Sequence, residues 1–525
     1  MAVVRLLVGA VWLLAVLRQG AAAAEAGAVA VDGRRAIAAT GEDFVCATLD
    51  WWPPDKCDYG TCSWGNASLL NLDLSNKILL NAIKAFSPLV LRLGGSLQDK
   101  VVYGTADRPG PCAPFNRSKS EMFGFTQGCL PMPRWDDLNA FFEKSGAKIV
   151  FGLNALNGRV PLQGGAMGGN WDTTNAASFI RYTAGKGYKI YGWELGNELS
   201  GTGVGTKVGV AQYVKDAIAL KTTVDTIYRG SPEKPLVLAP GGFFDPRWYG
   251  EFIAKTKPDM LNVVTHHIYN LGAGVDRDTQ LMDRILNPKA LDGMAGPFRD
   301  LQGLLKAAGT SAVAWVGESG GAYNSGHHLV TDAFVFSFWF LDQLGMSAKF
   351  DTKSYCRQSF IGGNYGLLNT TTFQPNPDYY SALLWHRLMG TKVLEAKFTG
   401  TNMVRAYAHC AKHAPGITLL LINLHVNATN HVSVAGRGAH AGGRKHGGRF
   451  AQPPGAPREE YHLTPEGGNI QSQVMLLNGR ALAAGADGSI PGMEPVKVDA
   501  ARPIAVAPRS IVFVHMPDYH APACA

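Results

Sequence analysis

A parallel eight-stranded (β/α)8 barrel of the α/β class (a TIM barrel), followed by a C-terminal antiparallel β-sandwich, is the architecture the sequence predicts. Three observations predict it. Eight short apolar runs alternate with helical patterns between Phe44 and Phe360, polar residues gather at the carboxyl ends of those runs, and beyond Met389 the helical period gives way to two-residue alternation.

The apolar runs are 44–49, 89–93, 148–153, 188–195, 236–239, 261–265, 312–316 and 348–360. Between them lie helices with readable signals: Asp136-Asp137 ahead of Leu138, Phe141 and Phe142, and a 3.6-residue stripe through Val210, Tyr213, Val214, Ala217 and Ile218. A doubly wound open sheet is the alternative. The strand ends favour the barrel, because they hold Asp50, Gly94-Gly95, Asn154, Asn197-Glu198, His266-His267 and Glu318, and barrel sites are assembled from the ends of several strands. After a helix over 379–389, alternation at 403–409, 417–424, 474–477 and 510–516 predicts the sandwich, which the β-like run 28–38 is expected to join. The expected division is a leader over 1–24, a strand segment over 25–42, the barrel over 43–392 and the sandwich over 393–525, with a Gly/Arg-rich surface loop at 436–458.

Arg5, an apolar stretch from Leu6 to Leu17 and the small residues Gly20 to Ala24 have the layout of a secretory signal peptide; the stretch is short for a membrane span. Eight cysteines and four sequons, at Asn66, Asn116, Asn369 and Asn427, fit the same route and an extracellular, cell-wall or vacuole-like destination. Pairing does not follow from one sequence, but Cys57 with Cys62 and Cys112 with Cys129 would close short loops, and Cys410 with Cys524 would tie the last strand back. Cys46 and Cys356, in apolar runs, are expected to be buried free thiols. The net charge of +8 favours acidic glycans or a peripheral contact with membrane or wall, part of it residing in the 436–458 insert.

Two glutamates carry the chemistry. Trp193-Glu194-Leu195-Gly196-Asn197-Glu198 ends the fourth run and Trp315-Val316-Gly317-Glu318-Ser319-Gly320 ends the seventh, placing Glu198 and Glu318 on one rim. Cleavage of a glycosidic bond needs an acid for the departing oxygen and a carboxylate for the oxocarbenium-like carbon. Glu198 is the candidate proton donor, with its pKa raised, and Glu318 the candidate nucleophile; Asn197 would bind a sugar hydroxyl, with His266, Tyr269 and Tyr323 as further donors. No motif for a metal, nucleotide cofactor or nucleic acid accompanies them.

The chain resembles the heparanase family of retaining β-glucuronidases, in its plant-type branch. The likeness spans 44–524 through Leu91-Arg92-Leu93-Gly94-Gly95, Phe151-Gly152-Leu153-Asn154-Ala155-Leu156, both glutamate motifs, Gly362-Gly363-Asn364-Tyr365 and Leu388-Met389-Gly390-Thr391-Lys392-Val393-Leu394. It implies Glu198 as proton donor and Glu318 as nucleophile. It also implies a uronate carboxylate held by backbone amides and a tyrosine hydroxyl at Gly363, Asn364 and Tyr365, with Asp50, Ser96, Asn197, His266 and Tyr323 on sugar hydroxyls. The implied partner is a glucuronide or uronate-containing polysaccharide. Two departures from the family shape the expectation: the excised linker is reduced to 106–134, which predicts a single-chain monomer, and the basic glycan-contacting segment becomes 241–251, where Arg247 is the sole cation. A neutral-sugar glycosidase of the arabinofuranosidase or xylosidase type, and a non-catalytic glycan-binding matrix protein, are the competing readings.

Overall fold

The computed structural model describes residues 23–108, 110–201, 205–256, 259–275, 280–436 and 457–525. The leader expected over 1–24 therefore lies outside the described residues except for Ala23 and Ala24, and most of the 436–458 insert lies outside them too.

Eight parallel strands close a barrel: Val45–Asp50, Val90–Gly94, Lys148–Leu153, Gly192–Leu195, Leu236–Phe243, Val263–Ile268, Val313–Ser319 and Ser354–Arg357. The first pairs with both the second and the last, Cys46 lying opposite Val90 and Cys356. The eighth run is the one misjudged in extent. Its first residues end the helix Phe336–Lys349, and the strand itself spans four residues, because the helix is buried on all sides and its apolar residues merge with the strand in a hydrophobicity reading.

Period-two alternation sorts each strand into an inward and an outward row. Outward residues such as Val45, Leu91, Leu93, Phe151, Trp193 and Val264 pack against the helices. The inward row is layered. Its amino-terminal layer is an apolar floor containing Val90, Val150, Leu238, Val263 and Trp315. Cys46 and Cys356 belong to it, bonded to each other rather than free. Barrel closure brings the first and eighth strands side by side in register, with Cα atoms 4.1 Å apart, a distance at which two inward sulfurs meet. Cys57 is bonded to Cys62, Cys112 to Cys129 and Cys410 to Cys524.

The C-terminal region is a large sheet in which one pairing is parallel. Ala23–Asp32 runs antiparallel to Met389–Thr399 and parallel to Ala428–Gly436, so the chain's start closes the sheet between two later strands. Alternation explains how the sheet serves two cores. Leu419, Leu421, Val512 and Val514 face the sandwich interior, while Leu420, Ile422, Ile511 and Phe513 face the barrel. The contact with the barrel is close: Tyr407 lies against Gly345, where a Cβ would meet its ring, and the Tyr407 hydroxyl donates to Asp342 at 2.6 Å beside Arg405 at 2.7 Å. Among the described residues no helix is long and apolar enough to cross a membrane. Asn66, Asn116 and Asn427 are exposed; Asn369 is half-buried, and its side-chain oxygen accepts from the Thr371 and Thr372 amides.

Candidate active site

Above the apolar floor the inward row becomes ionic. Arg92, two residues after Val90, crosses the barrel interior: Nε donates to Glu194 at 2.7 Å, Nη1 to Glu318 at 2.7 Å and Nη2 to Asn197 at 2.9 Å. Burial alone would depress this guanidinium, but Glu194 and Glu318 outweigh it and hold it firmly protonated. Glu194 is fixed on its other oxygen by the Thr265 hydroxyl at 2.8 Å.

The turn after the fourth strand is held by three successive amides. Gly196 donates to the Leu153 carbonyl at 3.0 Å, Asn197 to the Asp99 carboxylate at 2.7 Å and Glu198 to the Gly241 carbonyl at 2.6 Å. These partners come from the third strand, the short helical turn after the second and the fifth strand, so the turn is pinned from three directions. Glu198 sits at φ 57°, a left-handed conformation that costs a non-glycine residue about 1 kcal/mol or more and persists where the surroundings over-determine it.

Glu198 and Glu318 converge. One oxygen of each, with a ring nitrogen of His267, fall within 4.8 Å of one another. Their surroundings differ. Burial pushes the Glu198 carboxyl up to about 7, with distant Arg92 only partly opposing it. Its hydrogen-bonding neighbour is His267 Nδ1, 2.9 Å from Oε1, an imidazole that burial pushes down to about 4 and so keeps neutral. Glu318 is gripped on both oxygens, by Arg92 and by the Tyr269 hydroxyl at 2.6 Å. Burial, and then Glu318 itself, push Tyr269 far above its usual value, so it stays a donor. Two carboxylates and an imidazole are also a metal-ligating set. Here the Glu318 oxygens already carry cationic and hydroxyl donors, so hydrogen bonding accounts for the set without an ion.

Both glutamates open into a cavity of about 440 Å³ lined also by Asp50, Ser96, Tyr323 and Tyr365. Burial and the Glu318 charge push Asp50 up to about 7; Gln358 Nε2 donates to it at 3.0 Å and Gly95 abuts it so closely that a Cβ would collide with the carboxylate. Tyr323 stands at the rim, 45% exposed, and Tyr365 is buried in the wall, edge-on to Trp64. Asn197 lies beside the glutamates with its oxygen already used by Arg92. A second, larger groove of about 1090 Å³ adjoins the cavity at Phe123, between the segments around Cys112–Cys129 and 156–167.

Two expectations need correction. His266 is not in the cleft: its ring is fully buried between Phe244 and Phe298 outside the barrel, and burial pushes it down to about 3. Val263, Thr265 and His267 form the inward row of this strand and Val264 and His266 the outward row, so His267 is the inward residue; the register shift beside it accommodates an extra residue, Gly317, on the neighbouring strand, whose phase it resets at Glu318. The Asn364 amide is not open to a ligand either, because it donates to the Ser325 carbonyl at 2.7 Å; of Gly363, Asn364 and Tyr365, Tyr365 alone lines the cavity. Sequence reading also passed over Arg92, Glu194, Asp99, His267 and Gln358. Arg92, Glu194 and His267 had a signal, a polar residue on the inward row of an otherwise apolar strand.

The chain is similar to known proteins over most of its length. Residues 26–345 match the N-terminal domain of glycosyl hydrolase family 79. The chain is 55% identical to heparanase-like protein 3 of Arabidopsis thaliana, over 95% of each chain, and 45% identical to baicalin-β-D-glucuronidase of Scutellaria baicalensis, over 92% of this chain and 90% of that one. Among solved structures, a family 51 arabinofuranosidase from Xanthomonas axonopodis pv. citri superposes with a TM-score of 0.64 over 93% of this chain and 99% of its own, at 14% identity, a likeness of fold. The chain belongs to glycosyl hydrolase family 79, among its heparanase-like members.

Proposed function

We propose that the protein is a secreted, retaining β-glucuronidase that hydrolyses glucuronides or glucuronate-containing glycans through a covalent glycosyl-enzyme. The observation that carries this is the pair Glu198 and Glu318, with oxygens no more than 4.8 Å apart in opposite electrostatic surroundings. A separation of this order belongs to double displacement, since an inverting pair stands about 6.5 to 9.5 Å apart to admit water.

In the first step protonated Glu198 gives its proton to the glycosidic oxygen as the C1–O bond breaks and the leaving group takes the bonding pair. A Glu318 oxygen bonds to C1. In the second step water attacks C1, Glu198 takes its proton, and the C1–Glu318 bond breaks to restore the carboxylate. The pKa near 7 suits Glu198 to both roles, and Arg92 and Tyr269 hold Glu318 as the attacking group. The named activity of the Scutellaria relative supports a glucuronide as substrate. The disulfides support the secretory route.

The test is turnover of an aryl β-D-glucuronide beside matched arabinoside and xyloside, with the anomer of the first product followed by NMR. Release of β-glucuronate ahead of mutarotation is expected. Release of the α-anomer would overturn retention. Turnover of a neutral glycoside alone would move the protein to the arabinofuranosidase or xylosidase reading.

A further inference from the structure

We propose that Lys56, immediately before the Cys57–Cys62 loop, is the cation that reads the substrate's carboxylate and sets preference for a uronate over a neutral sugar. This deepens the glucuronidase reading and rests on it.

Among the described residues, four carboxyl groups line the cavity, Asp50, Asp58, Glu198 and Glu318, against one cationic side chain, Lys56. An anionic sugar entering such a site needs a donor with positive charge to offset loss of its hydration. Arg92 does not supply it, because its guanidinium is buried beneath the cavity against Glu194, Glu318 and Asn197 and does not line it. The Asn364 amide is committed to Ser325. Lys56 has capacity to spare. Its ammonium carries three N–H groups, one of which meets Asp58 at 2.6 Å, and it lies 4.6 Å above the Trp52 ring.

Lys56 is also held in place, as a reader of charge must be. The loop is closed by the Cys57–Cys62 bond and by paired amides of Asp58 and Thr61, each 2.9 Å from the other's carbonyl. It is then fastened across the cavity to the segment that follows Glu318. Ser325 Oγ donates to Asp58 at 2.5 Å, Trp64 Nε1 donates to Ser325 Oγ at 2.8 Å, and Asn324 Nδ2 donates to the Tyr59 hydroxyl at 2.8 Å. Trp64 in turn meets the Tyr365 ring edge-on, so the ammonium and the tyrosine share one wall. Asp58 receives both Lys56 and Ser325, which fixes the lysine stem and leaves two N–H groups for the cavity. A carboxylate is expected to dock against this wall, on the side of the cleft formed by the loops after the first and seventh strands.

The experiment uses the full chain and compares Lys56→Gln and Lys56→Arg with wild type. KM for an aryl β-D-glucuronide is expected to rise about tenfold to a hundredfold in Lys56→Gln, the scale of one charge-assisted hydrogen bond, with kcat within about threefold. Inhibition by D-glucuronate should weaken by the same factor and inhibition by D-glucose should not change. Lys56→Arg should recover most of the loss. A Lys56→Gln protein that folds, by an unshifted thermal transition, and keeps wild-type KM and glucuronate inhibition overturns the role of Lys56 and leaves the glucuronidase reading standing. Equal weakening of glucuronate and glucose overturns it too, because a purely structural loop would act on both. Absence of glucuronide turnover by wild type removes the underlying reading and this inference with it.

Discussion

The two ends of the barrel interior are built from the same eight strands and do opposite work. At the amino-terminal end the inward row is an apolar plug sealed by Cys46–Cys356; two residues further along the same strands it becomes Arg92, Glu194 and Thr265, and at the rim Asp50, Glu198, His267 and Glu318. The floor gains stability from burial. The rim spends it, with acids stripped of water and Glu198 in a left-handed turn. Arg92 is the hinge between the two, and the difference teaches that reactivity here depends on an ionic layer standing on an apolar one.

If this division is right, rim substitutions separate activity from stability. Glu318→Gln should lower glucuronide turnover by more than about 10⁴-fold, because the covalent route is lost, while the thermal transition moves little. Glu198→Gln should cost about 10²- to 10⁴-fold, least on aryl glucuronides whose phenol departs without a proton. Because Glu198 must start protonated, kcat/KM in wild type should fall tenfold per pH unit above about 7, the value to which burial raises that group. A pH profile without that limb would assign acid catalysis elsewhere.

Arg92→Met tests the layer between. It leaves Glu194 and Glu318 buried without their shared cation, so stability should drop by about 3 to 5 kcal/mol along with activity, read from the denaturant midpoint. The paired change Cys46→Ala with Cys356→Ala acts on the floor alone. Loss of a bond that closes so long a stretch of chain should cost about 2 to 4 kcal/mol and leave kcat/KM as it was wherever the protein remains folded. A fall in kcat/KM would show that floor and rim are coupled.

The same layering explains what the sequence could convey. Strand order, the helices Met132–Ser145 and Val210–Ile227 and the last strand Ser510–Met516 follow from periodicity, and the glutamates from their place at strand ends. Contacts made across the barrel interior were hidden. Arg92 stands inside Leu91-Arg92-Leu93-Gly94-Gly95, but its partners lie on the fourth and seventh strands and in the turn after the fourth, none of them adjacent to its own strand, so nothing local reveals them. His266 and His267 are told apart only by the phase of their strand, and Glu318 turns inward through the extra residue Gly317 on the next strand, a shift that hydrophobicity does not encode. Cys46 and Cys356 become partners through closure of the barrel, and misjudging where the eighth strand begins concealed their register. Lys56 sits in a turn whose position over the cavity depends on the distant Ser325.

The smallest expected effect is the most pointed test of how the rim is positioned. Asp99 touches neither glutamate; its two oxygens accept from the Ala155 and Asn197 amides, each at 2.7 Å, and so hold the turn that carries Glu198. Asp99→Asn preserves shape but offers one acceptor where two amides need one each, and it sets an NH2 group against an N–H. Loss of one such buried bond should cost about 1 to 3 kcal/mol of stability. Because Asn197 and Glu198 move together when their anchor weakens, kcat should fall while KM for the glucuronide changes little, and Asp99→Glu, too long for the same fork, should not restore it. Unchanged kcat in a destabilised Asp99→Asn protein would mean that the Gly196 and Glu198 amides, bonded to Leu153 and Gly241, suffice to hold the acid in place, and that positioning at this rim is shared among strands rather than vested in one carboxylate.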